Sequence, residues 1–167
     1  MPEICPAYVA LGSNLNDPRR QVERAMVALD ALPESALRRC SRLYFTPPMG
    51  PGDQPDYVNA VACLDTHLSP FELLDALQAI EQQQGRVRGG ERWGPRTLDL
   101  DLLLHGDCRM DSPRLTLPHP GMHERDFVLY PLAEIAPGLT IPGLGALDTL
   151  VARCPARGLK PVDRADE

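Results

Sequence analysis

Aromatic residues are scarce in this 167-residue chain, 5% in all with a single tryptophan, and so is net positive charge, the formal charge being -6. A surface that neutralises a nucleic-acid backbone is usually basic over a whole face, and RNA-reading sheets stack bases on aromatic rings. Both scarcities argue against a nucleic-acid partner. Long apolar runs are missing too: nothing approaches the roughly 20 residues of a membrane span, and no basic-then-apolar leader opens the chain. A soluble cytoplasmic protein without a membrane partner is expected. The five cysteines Cys5, Cys40, Cys63, Cys108 and Cys154 are odd in number, scattered and free of any C-x-x-C pair, so they predict reduced thiols rather than a disulfide framework or zinc site. Repeats and low-complexity segments are absent. The length suits one domain, 1–167, with a loosely ordered polar tail from 155, and nothing demands more than a monomer.

The patterned segments are clear. Residues 7–11 form a short apolar run closed by Gly12-Ser13-Asn14, a strand followed by a turn. Asp17 before Pro18 predicts an N-cap and N1, and Val22, Ala25, Met26, Leu29 and Leu32 follow at helical spacing until Pro33. Residues 37–46 and 56–66 predict two strands, separated by a proline- and glycine-rich loop, TPPMGPGDQP. Ser69-Pro70-Phe71-Glu72 is a capping box with proline at N1, leading into the stripe Leu74, Leu77 and Ile80 and a stop at Gly85. Residues 97–104 alternate with period two, placing Leu98, Leu100, Leu102 and Leu104 on one face. The order strand, helix, strand, strand, helix, strand predicts an α+β fold of the ferredoxin-like βαββαβ type. Its helices would cover one face of an antiparallel sheet and leave the other free for chemistry. After a turn at 105–107, frequent prolines predict a C-terminal extension of loops and short helices, with room for one more hairpin.

Chemistry concentrates around that last strand. Period two puts Asp99 and Asp101 on the same side, opposite the leucines. Such carboxylates suit hard divalent cations, and a pair of Mg²⁺ ions about 3.5–4 Å apart could clamp attacking and leaving oxygens. Two solvated aspartates on an open sheet face are the alternative. The run RVRGGERWGPR, joined directly to this strand, sets Arg86, Arg88, Arg92 and Arg96 against Glu91. Guanidinium groups and metals share phosphate as a ligand, which points to polyphosphate; a basic loop paired with Glu81 and Glu91 is the plainer reading. Trp93 within the loop either pins it to the body or acts as an aromatic latch over the site. Tyr57 and Asn59 share a strand face, offering a ring to stack on a heterocycle and an amide to read its edge, unless they are ordinary strand surface. His119, His123 and Arg125 lie in a rigid proline-flanked loop, where phosphate contact fits better than metal ligation.

The run Arg92 to Leu103, RWGPRTLDLDLL, resembles the signature of the 6-hydroxymethyl-7,8-dihydropterin pyrophosphokinase family of folate biosynthesis. So do ALGSNL at 10–15, YFTPPMG at 44–50, QPDYVN at 54–59, IEQQQGRVR at 80–88 and LPHPGMHERDFVLYPLAEIAP at 117–137. The resemblance implies transfer of pyrophosphate from ATP to a pterin alcohol, with AMP released and two Mg²⁺ ions held by Asp99 and Asp101. It implies catalytic roles for Arg86, Arg96, Asp99 and Asp101. ATP contacts would fall to Gln78, Glu81, Arg88, Arg92, Trp93, Leu102, Thr116, His119 and Arg125. Thr46, Pro47, Met49, Tyr57, Asn59, Trp93, Asp99 and Phe127 would hold the pterin, Tyr57 and Phe127 sandwiching its ring. Gly89 and Gly121 depart from positions where family members carry charged side chains. The rival readings are a palm-type nucleotidyl transferase or cyclase, in which two aspartates serve attack at the α-phosphorus, and a non-catalytic RNA-binding or ligand-sensing module.

Overall fold

Two strands buried on both faces organise the chain. In the computed structural model, which describes residues 4–14, 17–46, 57–84 and 98–162, β1 runs Cys5–Ser13 and pairs antiparallel along its whole length with β4, Tyr57–Thr66. The other side of β1 pairs with β5, Asp99–His105, again antiparallel. β2, Ser35–Cys40, and β3, Tyr44–Thr46, both pair with β4, so the expected single strand over 37–46 is broken at 41–43. Ser41 keeps the break on the sheet: its N–H donates to the Val61 carbonyl at 2.8 Å and its Oγ accepts the Val61 N–H at 3.0 Å. The order across the sheet is β10-β3-β4-β1-β5, β10 being Lys160–Pro161, with β2 also on β4. The fold is thus α+β, an antiparallel sheet with four α-helices among the described residues.

α1, Pro18–Asp30, begins at its proline as expected. Asp17 accepts the first helical bond through its carbonyl, from the Gln21 N–H at 3.1 Å, but its φ of 62° lies in the left-handed region and its side chain caps nothing. The capping box of α2, Pro70–Gln84, forms in both directions: the Ser69 N–H donates to Glu72 Oε1 at 2.8 Å, and the Glu72 N–H donates to Ser69 Oγ at 3.2 Å. These Ser69 contacts hold the Glu72 carboxyl below its ordinary range. The buried stripe of α2 is Leu73, Leu77 and Ile80; Leu74 is only half-buried, one position off the expected register.

α1 and α2 cover one sheet face, over Ala7, Val9, Leu11, Val58, Ala60, Ala62, Leu64, Leu98, Leu100 and Leu102. Each fully buried leucine here contributes about 2 kcal/mol. Leu104 does not join them. The pairing of β1 with β5 slips between Tyr8 and Val9, so Val9 faces Leu102 while Tyr8 faces Leu104. That bulge brings Leu104 to the same face as Leu103, where both enter a second core. The second core corrects the expectation of a free face: α3, Asp126–Ile135, and α4, Leu147–Arg153, cover Val61, Cys63, Leu103 and Leu104 with Val128, Leu129, Leu132 and Leu150. Two small hairpins complete the C-terminal part, β6 (Met110–Asp111) with β7 (Thr116–Leu117) and β8 (Thr140–Ile141) with β9 (Gly145–Ala146). The tail expected to be loose from 155 supplies β10, whose Lys160 and Pro161 face Phe45 and Tyr44 of β3. No helix among the described residues is long and apolar enough to cross a membrane.

Candidate functional site

Because α3 and α4 cover only part of the second sheet face, the remainder is a concavity floored by the sheet and walled by α3. This cavity, about 230 Å³, is lined by Gly12, Thr46, Tyr57, Asn59, Asp99, Asp101, Leu103, His119, Arg125 and Phe127, with Ala10, Leu11 and Val128 behind them. The floor is a row across three strands, since Gly12 pairs with Asn59 on one side and Asp99 on the other. Period two brings Asp99 and Asp101 to the same cavity. Asn59 is buried, and its Nδ2 donates to Thr46 Oγ1 at 2.6 Å, which orients the amide. Tyr57 and Phe127 are both half-buried on the lining, and the Arg125 guanidinium lies 5.9 Å from the Phe127 ring centroid.

A second cavity of about 270 Å³ adjoins the first and shares Asp101 and His119 with it. Its other walls are Leu74, Leu100, Leu102, Ser112, Arg114, Leu115, Thr116 and prolines 113 and 120. Each cavity alone is smaller than the ~300–1,000 Å³ usual for ligand pockets; joined at Asp101 and His119 they make a two-compartment site. His119 Nδ1 is buried and has no hydrogen-bond partner among the described residues, while its backbone N–H donates to the Leu103 carbonyl at 2.9 Å. A buried polar atom in that state, on the boundary of two cavities, is a contact offered to a ligand.

Of the residues expected at the site, Thr46, Tyr57, Asn59, Asp99, Asp101, His119, Arg125 and Phe127 line the first cavity and Leu102 and Thr116 the second. Gln78 and Glu81 line neither. Gln78 is exposed on α2 and receives Arg114 Nη2 at 3.4 Å. Glu81 Oε2 accepts the Leu100 N–H at 2.8 Å. Among the described residues β5 is the last strand on its side of the sheet, and Glu81 supplies an acceptor that a strand neighbour would otherwise give, to the peptide between the two aspartates. Pro47, Met49, Arg86, Arg88, Arg92, Trp93 and Arg96 lie outside the described residues.

Among the lining residues not expected at the site, two polar or conformational ones stand out, Gly12 and Arg114. Gly12 looked like a turn but is inside β1, where a Cβ would meet Asn59 Oδ1 at 2.7 Å. A glycine ending an apolar run is also the mark of a close approach across a strand. Arg114, in the proline-broken segment, forms an ion pair with Asp75 at 2.5 Å and lies 5.8 Å from the Phe71 ring. A lone arginine there carries no local pattern that would reveal it.

The donor set narrows the chemistry. Burial pushes the Cys40, Cys63 and Cys154 thiols up, away from the thiolate form a nucleophile needs. The described residues contain no group of three or more His, Cys, Asp or Glu that could cage a metal. Two carboxylates on a cavity floor fit instead a hard cation that keeps water and shares the substrate's phosphate oxygens, the habit of Mg²⁺.

The family of 7,8-dihydro-6-hydroxymethylpterin-pyrophosphokinases matches residues 8–137. A 2-amino-4-hydroxy-6-hydroxymethyldihydropteridine pyrophosphokinase of Pseudomonas aeruginosa is 57% identical over 153 residues, 92% of this chain and 94% of that protein. One of Haemophilus influenzae is 53% identical over 145 residues, 87% and 90% respectively. A crystal structure of Plasmodium falciparum HPPK-DHPS superposes with a TM-score of 0.71 at 13% identity, covering 92% of this chain but 46% of that longer one, a likeness of fold alone. With the two-compartment cavity and its paired carboxylates, these matches lead to one conclusion: the chain belongs to the 7,8-dihydro-6-hydroxymethylpterin-pyrophosphokinase family.

Proposed function

We infer that this chain transfers pyrophosphate from ATP to the hydroxymethyl group of 6-hydroxymethyl-7,8-dihydropterin, releasing AMP, in folate biosynthesis. The observation that carries the reading is the pair of cavities meeting at Asp101 and His119, with Asp99 beside them on the floor. One compartment takes the pterin, its ring between Tyr57 and Phe127 and its edge against Asn59 and Thr46. The other takes the nucleotide along Leu102, Thr116, His119 and Arg114. The hydroxymethyl oxygen bonds to the β-phosphorus, the bond from that phosphorus to the α–β bridging oxygen breaks, and AMP leaves with the bridging oxygen; the hydroxyl proton passes to solvent.

Asp99 and Asp101 are the residues that would hold Mg²⁺, which when bound would neutralise phosphate charge and raise the acidity of the alcohol. The chain itself chiefly positions and screens. Arg125 and His119 border the junction where charge accumulates, and Arg86, Arg88, Arg92, Arg96 and Trp93 are assigned to the polyphosphate, Arg86 and Arg96 as catalytic residues. Pro47 and Met49 complete the pterin pocket, and Gln78 and Glu81 stand on the nucleotide side. No general base is assigned. The working form is a cytoplasmic monomer of one ferredoxin-like domain, with two Mg²⁺ ions per site. Incubation with Mg-ATP and the pterin alcohol tests the reading: AMP in step with pterin diphosphate supports it, whereas free pyrophosphate with a nucleotidylated pterin favours the α-phosphorus rival.

A further inference from the structure

Asp126 is a buried carboxylate, 8% exposed, that the reaction above does not use. It stands in the first turn of α3 between two residues that do line the pterin cavity, Arg125 and Phe127, yet is not itself on the lining. Burying a charge is costly unless it is partnered. Its partner is the C-terminal segment: Asp126 Oδ2 accepts the Arg157 backbone N–H at 2.7 Å. One turn further on, Tyr130 Oη donates to the Cys154 carbonyl at 2.6 Å.

The same segment then crosses to the opposite wall. Lys160 and Pro161 pair with Phe45 and Tyr44, and the Val162 N–H donates to the Leu43 carbonyl at 2.8 Å. β3 ends at Thr46, the residue that orients Asn59. Residues 154–162 therefore touch both the helix that carries the stacking ring and the strand that carries Thr46, the partner of Asn59 on β4. All of them lie beyond residue 137, where the family match ends.

We propose that residues 154–162 brace the two walls of the pterin cavity, and that Asp126 is the positioning residue through which the brace holds Phe127. The buried side-chain oxygen of Asp126 accepts a backbone N–H, a bond costly to leave unmade, and this bond fixes the turn from which the Phe127 side chain leaves. The proposal rests on the assignment of this cavity to the pterin.

The test is a kinetic comparison of Asp126→Ala, Asp126→Asn and Val162→Pro with the unaltered chain, varying pterin and ATP separately. Asp126→Ala is expected to raise the pterin KM about tenfold, equivalent to about 1.4 kcal/mol, with little change in the ATP KM. Asp126→Asn restores it, because the amide oxygen accepts the same N–H. Val162→Pro removes the donor at the far end of the brace and shifts the pterin KM in the same direction. An unchanged pterin KM, an equal rise in both KM values, or no rescue by asparagine overturns the brace; should Asp126→Ala not fold, Val162→Pro decides alone. If the unaltered chain releases no AMP, the activity assignment fails, and the brace is read from amide exchange at Val128 and Leu129, which donate to the Arg125 carbonyl at 3.0 and 2.9 Å. Faster exchange in Asp126→Ala supports it and unchanged exchange overturns it.

Discussion

Replacing Gly12 by alanine adds one methyl group at the centre of the cavity floor. Its Cβ would stand 2.7 Å from Asn59 Oδ1 and 3.8 Å from Asn59 Cγ, the first closer than such atoms approach. The backbone has little room to yield, since Gly12 is paired on both sides, with Asn59 and with Asp99. Asn59 must therefore rotate, and its 2.6 Å bond to Thr46 Oγ1 breaks. Leaving a buried amide unpaired costs about 1–3 kcal/mol. Alanine recovers roughly 0.5–1 kcal/mol over glycine in a strand. The net loss, at most about 2.5 kcal/mol, lowers Tm by up to about 10 °C in a chain of this length. With Asn59 proposed to read the pterin edge, the expected outcome is a pterin KM about tenfold higher with the ATP KM near its original value. The assay is AMP release with each substrate varied, beside a thermal melt. In an Asn59→Ala background the same Gly12 substitution should cost almost nothing, because the clash partner is gone. An unaltered Tm and pterin KM in the single variant, or full additivity in the double, would refute the reasoning.

Asp99→Ala and Asp101→Ala should each reduce turnover by at least about 10²-fold with far-UV circular dichroism unchanged; near-normal turnover in either removes the paired-carboxylate metal assignment. Glu81→Ala deprives the Leu100 N–H of its acceptor, so amide exchange at Leu100 should accelerate and stability fall by about 1.5–3 kcal/mol in urea titrations, with Glu81→Gln close to the original. Unchanged exchange at Leu100 would show that the contact does not hold β5. Burial, reinforced by Cys63, pushes the Tyr8 phenol up to about 12, and burial with Glu134 raises Tyr44 as well. The folded chain then keeps protons that the unfolded chain releases from about pH 10, so stability is full below that pH and declines as pH rises toward 12. Tyr8→Phe should flatten part of that decline in denaturant titrations, and an equally steep alkaline loss would contradict the assignment.

Ser69 and Glu72 sit three residues apart, and the reciprocal bonds they form depend on nothing beyond one helical turn, so the start of α2 was readable in advance. The aspartates of β5 were readable for the same reason, because side chains two apart on a strand share a face whatever packs there. Leu104 was not. Its direction follows from a slipped pairing with Tyr8, almost a hundred positions away in the chain, which no count along β5 can register. Asp17 failed as a side-chain cap because its backbone is left-handed. The break at 41–43 likewise answers to Val61 on the neighbouring strand rather than to its own composition.

The site divides along the same line. Tyr57, Asn59, Asp99 and Asp101 were marked by alternation, and His119, Arg125 and Phe127 by motif. Gly12, Arg114 and Asp126 matter only through what lies across from them: an asparagine on the next strand, the aspartate of a helix, a backbone N–H of the C-terminal segment. By itself the sequence determined β1, α1, α2 and the two carboxylates on one face, and the family, since each depends on residues within a few positions or on motifs carried whole. Only the tertiary structure decided that α3 and α4 close part of the second face, that two cavities meet at Asp101 and His119, and that the C-terminal segment bonds to both α3 and β3. Those outcomes come from long-range burial of apolar surface and from partners for buried polar groups, and such forces act between segments the chain brings together only on folding.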